Sequence, residues 1–201
     1  MAVDYTTLAD TKSLLNIATS DTSSDVLLSR AIAAASRGID RTTGRRFWLD
    51  PAPVQRVYNP HARVMNDDGG ARILVDDIGT TVGMTVEYGS VGGGWSVITD
   101  VETFPDNALA DGQPITSLIR PNSVWGWGDA RARIRVTARF GWPAIPDEVV
   151  QATQIQALRL YRRKDSPDGV TGSAEWGVVR LSRIDPDVAA LIEKLTLPGI
   201  G

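Results

Sequence analysis

Apolar residues recur at helical spacing near both ends of the chain. Between those ends they alternate with polar residues or form short runs punctuated by Gly, Asp and Pro. The first helical stretch, 7–17, carries Leu8, Leu14, Leu15 and Ile17. After a polar segment, Leu28, Ala31, Ile32, Ala35 and Ile39 recur at intervals of three and four, which predicts an amphipathic helix ending near Gly44. Thr22 with Asp25 has the form of a capping box at its start. The alanines of this helix permit close approach of a neighbouring helix.

Pro51 and Pro53 forbid a continuing helix. Candidate strands follow at 54–58, 71–75, 84–88, 95–99, 115–120 and 132–140. The last is the clearest: Ala132, Ile134, Val136, Ala138 and Phe140 point one way, and Arg133, Arg135, Thr137 and Arg139 the other. Helical spacing returns after Pro146-Asp147-Glu148, where proline and acids suit a first turn, and runs to about Lys164. Val149, Val150, Thr153, Ala157, Leu160 and Tyr161 share one face, with Ile155 and Leu158 on the far side. An irregular arm spans 165–183. Asp185-Pro186 then caps a final short helix carrying Val188, Leu191, Ile192 and Leu195, which Pro198-Gly199 stops.

The expected fold class is therefore α+β. The N- and C-terminal helices pack as one helical bundle, because neither end alone buries enough surface, and an antiparallel β sandwich or barrel-like domain is inserted between them. The expected boundaries are 1–48 and 143–201 for the helical domain and 49–142 for the insertion.

Composition narrows the function. At 201 residues, 42% apolar and 22% charged, the chain is ordinary for a globular protein. No apolar run approaches the roughly 20 residues of a membrane span. Residues 1–10 carry neither a basic nor an apolar signal region, so no secretory signal is expected. With no cysteines, disulfides, thiolate catalysis and cysteine-based metal sites are excluded. The one histidine, His61, lies in Asn59-Pro60-His61-Ala62-Arg63 and reads as a solvated turn residue. A net charge of −3 argues against a dedicated nucleic-acid binder.

The search for catalytic chemistry returns nothing. Gly92-Gly93-Gly94 lacks the Lys-Ser/Thr and the helix of a phosphate loop, and reads as a hairpin turn. Asp67-Asp68 and Asp76-Asp77 lack a Glu at calcium-loop spacing and read as turn residues. No GxSxG is present. The expectation is a non-enzyme without cofactor or metal. Three surface features remain. The row Arg131, Arg133, Arg135 and Arg139 reads first as a solvated sheet face with acidic cross-strand partners, and second as a channel or partner face. Trp125-Gly126-Trp127-Gly128 reads equally as a contact loop or as closure of the sheet core. Ile155 and Leu158 give a helix that already owns one apolar face a second, suited to subunit contact.

Leu8-Ala9-Asp10-Thr11-Lys12-Ser13-Leu14-Leu15-Asn16-Ile17 resembles the opening helix of the phage head-tail connector family. The likeness continues in Ile32-Ala33-Ala34-Ala35-Ser36, Ile39-Asp40 and Thr43-Gly44-Arg45-Arg46-Phe47. It returns in Phe140-Gly141-Trp142, Ile145-Pro146 and Ala157 to Arg162. The stretch from Val179 to Val188 is similar to the longer adaptors of actinobacterial siphophages. The resemblance implies a structural ring, expected to be twelve-fold, beneath the portal at the head-tail junction of the virion and assembled in the host cytoplasm. Such a ring extends the DNA channel, passes DNA without reading its sequence, and offers a platform to neck and tail proteins; no membrane is involved. Because a ring interface is heterologous, two different faces are required. Ala31, Ala34, Ala35, Ile155, Leu158 and Arg162 are the candidate subunit contacts. Trp176, Arg180, Arg183, Leu195, Leu197 and Ile200 are the candidate portal contacts. The competing readings are another virion part (a stopper, tail terminator or capsid decoration protein), a metal-dependent nuclease using the acidic pairs, and a carbohydrate-binding module.

Overall fold

The change of period after residue 45 is a change of structural unit. A computed structural model of the 201-residue chain describes residues 3–67, 70–90, 92–121, 123–126, 131–163, 170–171, 179–180 and 185–197. One unit takes both chain ends, Met1–Arg45 and Ile145–Gly201; the other is Arg46–Ala144.

The first unit contains α1 (Leu8–Leu14), α2 (Asp25–Thr43), α3 (Asp147–Arg162) and α4 (Pro186–Ile192). A two-residue pairing of β8 (Val170–Thr171) with β9 (Val179–Arg180) also lies in it. Thr7 starts α1, its hydroxyl accepting from the Asp10 amide at 3.1 Å. The whole predicted stripe of α2, from Leu28 to Ile39, is buried, and Gly44 ends the helix in the left-handed region at φ 67°. The capping box does not form. Ser24 occupies the N-cap, and its hydroxyl instead accepts a 2.9 Å bond from the Tyr161 hydroxyl of α3. Further along, Ala157 of α3 packs with Ile32 and Ala35 of α2, so the two helices run antiparallel. Both ends of the chain therefore share one helical core, as expected.

Two polar ties hold the outlying parts of this unit. The nearly buried Lys12 ammonium pairs with Asp25 at 2.6 Å and donates to the Thr19 carbonyl at 3.2 Å, fixing α1 and the following loop to the start of α2. The Leu197 amide donates to the Thr43 carbonyl at 2.8 Å, satisfying an acceptor that the end of α2 leaves open.

The second unit is a seven-stranded antiparallel sheet. Its strands are β1 (Val54–Tyr58), β2 (Val64–Asp67), β3 (Gly70–Ser90), β4 (Trp95–Val97), β5 (Glu102–Phe104), β6 (Ile115–Arg120) and β7 (Ala132–Phe140). The order is β1-β7-β3-β6-β5, with β2 and β4 attached to β3. Strands expected separately at 71–75 and 84–88 are one strand of 21 residues. Its first part pairs with β6 and its later part with β7, and the register shifts between Leu74 and Ile78 and again between Thr80 and Thr85. The polar Asp76-Asp77 and Gly79 that look like a turn in sequence mark these irregularities instead. Because β1 and β5 stand at opposite ends of the order, the sheet does not close, and the barrel-like expectation is corrected.

The core of this unit follows the alternation of β7: Ala132, Ile134, Val136, Ala138 and Phe140 are all buried, with Ile73, Ile78, Val86 and Leu118 packed beside the larger ones. Each fully buried side chain of this size contributes about 1.5–3 kcal/mol. Trp125 is wholly buried too, its indole donating to the Ala71 carbonyl at 2.8 Å. That decides its part of the tryptophan loop in favour of core closure; Trp127 and Gly128 lie outside the described residues.

The chain enters and leaves this unit at one place. Phe47 and Trp142, both buried, lie 5.1 Å apart between ring centres. The Phe140 carbonyl accepts from the Asp50 amide at 2.8 Å and from Arg46 at 3.1 Å, and Arg46 also pairs with Asp50 at 2.8 Å. Gly141, at φ 112°, passes so near the incoming chain that a Cβ there would lie 1.9 Å from the Trp48 carbonyl oxygen. Only glycine fits this crossing.

Two stability predictions follow from these contacts. Gly141→Ala destabilises the protein by more than about 2 kcal/mol in urea denaturation, whereas Gly94→Ala, with open space around it, stays within about 0.5 kcal/mol. Lys12→Ala costs about 2 kcal/mol, below the loss expected for a fully buried pair because Asp25 retains 27% exposure.

Candidate functional site

The candidate contacts on the helical unit fall into two groups. Ala31 and Ala35 belong to the buried stripe of α2, so the structure uses them inside the chain. Ala34, one residue off that stripe, is exposed. On α3, Ile155 and Leu158 are half-buried and Arg162 is exposed, on the side away from Val149, Ala152, Thr153 and Ala157. Charge alternates with these apolar positions. Arg30 and Arg41 are exposed on α2, and Asp147 and Glu148 on the first turn of α3; none of the four has an ion pair among the described residues.

The candidate portal contacts are only partly described. Leu195 is half-buried and Leu197 is 43% exposed while bonded through its amide to the end of α2. The backbone of Arg180 pairs with Val170. Trp176, Arg183 and Ile200 lie outside the described residues, as does most of the 165–183 arm.

The arginine row on β7 is engaged rather than free. Arg135 forms a two-pronged bond with Glu87 on β3, Nε to Oε2 at 2.6 Å, and its guanidinium lies 4.4 Å from the centre of the Trp95 ring. Arg139 donates to the Asp50 carbonyl at 2.7 Å, and Arg133 to the Ala132 carbonyl at 2.7 Å. Arg131 is exposed just before the strand. The acidic partner is thus Glu87, in the adjoining strand. In antiparallel pairs, opposed residues share a face. Register therefore adds Val57, opposite Arg135, and Val97, opposite Glu87, to the arginine side of the sheet. These two valines are 51% and 65% exposed. Sequence reading missed this mixed face because it depends on which strands adjoin.

Carboxylates that invite a metal reading are committed elsewhere. Asp76 pairs with Arg56 at 2.6 Å and accepts from the Tyr58 hydroxyl at 3.1 Å. Burial, with the Asp76 carboxylate beside it, raises that hydroxyl above its ordinary range. Asp77 accepts from the Trp142 indole at 3.0 Å. Asp68 is outside the described residues, and among the described residues no three His, Cys, Asp or Glu side chains gather. His61 is exposed in a short turn, Pro60–Ala62. The glycines at 92–94 join β3 to β4 in a hairpin, with the Gly93 amide bonded to the Ser90 carbonyl at 3.0 Å. No helix of the described residues is long and apolar enough to cross a membrane. What the described surface offers is contact faces made of ion pairs, small residues and exposed valines.

Residues 5–74 match the model of the Phage gp6-like head-tail connector protein family. The connector match covers α1, α2, β1, β2 and the start of β3, and so includes the N-terminal pieces of the sequence resemblance. The pieces from Phe140 onward lie beyond it. The chain also shares its fold with solved structures. One is the "Neck of empty GTA particle computed with C6 symmetry", at 18% identity and a TM-score of 0.55. A second is the "Virion of native gene transfer agent (GTA) particle", at 15% identity and a TM-score of 0.53. Each alignment covers 96% of this chain and 90% of the other. No curated protein matches the sequence.

The Arg135–Glu87 bond has a pH signature. Hydrogen bonds from Arg135 hold the Glu87 carboxyl below its ordinary range. A depressed carboxyl adds stability above the unfolded value, about 4.3, and loses it as pH falls through the folded value. Urea denaturation at pH 7 and pH 3 should show a larger loss of stability for the wild type than for Glu87→Gln. Equal losses would show that the pair adds nothing.

Proposed function

We propose that this chain is a structural head-to-tail adaptor of a tailed phage or phage-like particle. The observation that carries the reading is the match of residues 5–74 to the head-tail connector family. The fold shared with a gene-transfer-agent neck supports it over the rest of the chain. Copies assemble as a ring, expected to be twelve-fold, under the portal at the head-tail junction. They extend the DNA channel and present a platform to the next neck or tail protein. The role is one of scaffolding rather than catalysis, in keeping with Asp76 and Asp77 being tied to Arg56 and Trp142.

Within this reading, Leu195 and Leu197, with Arg180 and the residues Trp176, Arg183 and Ile200, form the portal-facing end. The β7 row is a protein-facing surface. Glu87 neutralises Arg135, and Val57 and Val97 make the same side partly apolar, which suits a protein partner better than the phosphates of passing DNA. A mildly acidic ring also avoids retaining the DNA that must leave through it.

The test is cryo-electron microscopy of DNA-filled heads bearing their portal, with and without the purified protein. The expected result is a ring of added density beneath the portal only when the protein is present. Heads that remain unchanged at saturating protein would overturn the adaptor reading.

A further inference from the structure

We infer that copies in the proposed ring join by continuing one another's β-sheet. The open edge of β4 on one copy pairs antiparallel with the open edge of β1 on the next. This joint rests on the adaptor reading and supplies the contact that builds the ring.

Four strands lie side by side in the later part of the sheet. Arg135 on β7 is paired with Val57 of β1 on one side and with Glu87 of β3 on the other, and Glu87 in turn with Val97 of β4. The row Val57, Arg135, Glu87, Val97 therefore has its ion pair inside and a valine at each end. Among the described residues, no strand adjoins β1 beyond β7 or β4 beyond β3.

A single bond fixes which backbone groups those edges present. The Ile98 amide donates to the Val86 carbonyl at 2.8 Å. In an antiparallel ladder, hydrogen-bonded and non-hydrogen-bonded pairs alternate. Ile98 and Ser96 thus turn their backbone groups toward β3, and Val97 and Trp95 turn theirs to the open edge. The register has no shift from Thr85 to Ser90 or along β1, so the alternation carries across the sheet. It bonds Glu87 to Arg135, and then Tyr58 to Ile134 and Arg56 to Val136. The N–H and C=O of Val57 and Gln55 are left pointing outward. Among the described residues, none of these outward backbone groups bonds elsewhere.

The two edges match. Val57 and Val97 present their backbone groups outward, share one face of the sheet, and keep their side chains exposed. A copy set beside β4 with the row kept level places its Val57 against Val97 and its Gln55 against Thr99. Both are hydrogen-bonded pairs. They run antiparallel, because β1, β7, β3 and β4 alternate in direction and are even in number. Charge does not oppose the joint. Within 54–59 and 95–100 the charged residues are Arg56 and Asp100, which are opposite in sign and meet two positions apart across it. Each is already paired in its own chain, Arg56 with Asp76 at 2.6 Å and Asp100 with Arg120 at 2.9 Å. Pro53 and Pro60 carry no N–H and bracket β1, so its edge suits a strand as short as β4. The edges are unlike, so the contact is head-to-tail, as ring closure demands. The occupant of each edge is thus a second copy of this chain.

The chain has no cysteine, so introduced pairs report contacts without background. Opposed residues of a hydrogen-bonded pair hold their Cα atoms about 5.5 Å apart, within disulfide reach. Portal-bearing heads are mixed with the Val57→Cys and Val97→Cys chains together, with each alone, or with the double variant, and then oxidised. The expected result is heterodimer from the mixture, little homodimer from either single variant, and a ladder of covalent oligomers from the double variant. Val82→Cys, exposed but on neither edge, gives no dimer with Val57→Cys. In parallel, Val97→Pro removes an outward N–H and no bond of its own sheet. It keeps the wild-type melting temperature and joins the ring about tenfold more weakly. A ring that forms without the Val57–Val97 link, or that Val97→Pro joins as well as the wild type, overturns the joint and leaves the adaptor reading standing. Heads that gain no ring overturn the adaptor reading, and the joint with it.

Discussion

The close passage of two backbones between Gly141 and Trp48 is the constraint on which the rest of this molecule depends. The chain commits its first 45 residues to one unit, spends the next 99 on another, and returns to complete the first. Such an insertion is tolerated when its two ends meet. Here they meet at van der Waals limits. Phe47 and Trp142 seal the place from water, and the Phe140 carbonyl accepts from both Asp50 and Arg46. Remove the room that glycine leaves and the outgoing strand cannot lie beside the incoming one. β7, which supplies Ile134, Val136, Ala138 and Phe140 to the sheet core, would then lose its end.

The helical unit has its own version of the same economy. It is assembled from segments more than a hundred residues apart, so its internal bonds are long-range: Tyr161 to Ser24, Gln154 to Thr6, Leu197 to Thr43. The first of these lies at the start of α2, where the N-cap is Ser24 and not the expected Thr22, and where the Ser24 hydroxyl receives Tyr161 and caps no helix amide. Burial of the facing stripes brings Tyr161 to Ser24, so the tertiary bond wins over the local one.

What could be read from the sequence was whatever local period carries. The stripe of α2 and the strands 54–58, 115–120 and 132–140 are where spacing and alternation put them, and both ends share one helical core. The unread parts depend on partners distant in sequence. No period announces that 70–90 is one strand, because Asp76, Asp77 and Gly79 look like a turn until β6 and β7 are there to pair with either side. β2 and β5 are too short and polar to show alternation. On the candidate surfaces, Ile155 and Leu158 were visible as an extra apolar side. The burial of Ala31 and Ala35 was not, since an alanine-rich helix looks alike whether it meets its own chain or another. Glu87 as the partner of Arg135 is likewise a fact of register.

The junction at Gly141 also decides how the protein bears mechanical load. Tension between the two helical segments enters the β unit at residue 46 and leaves it at residue 144, and these ends are bound to each other at the last residue of β7. Pulling force is therefore short-circuited through the Phe47–Trp142 contact and the bonds to the Phe140 carbonyl. The ladder between β3 and β7 beyond Ile78 lies outside that short path. A domain hung in this way can differ in size or be exchanged without changing the strength of the helical frame that carries it.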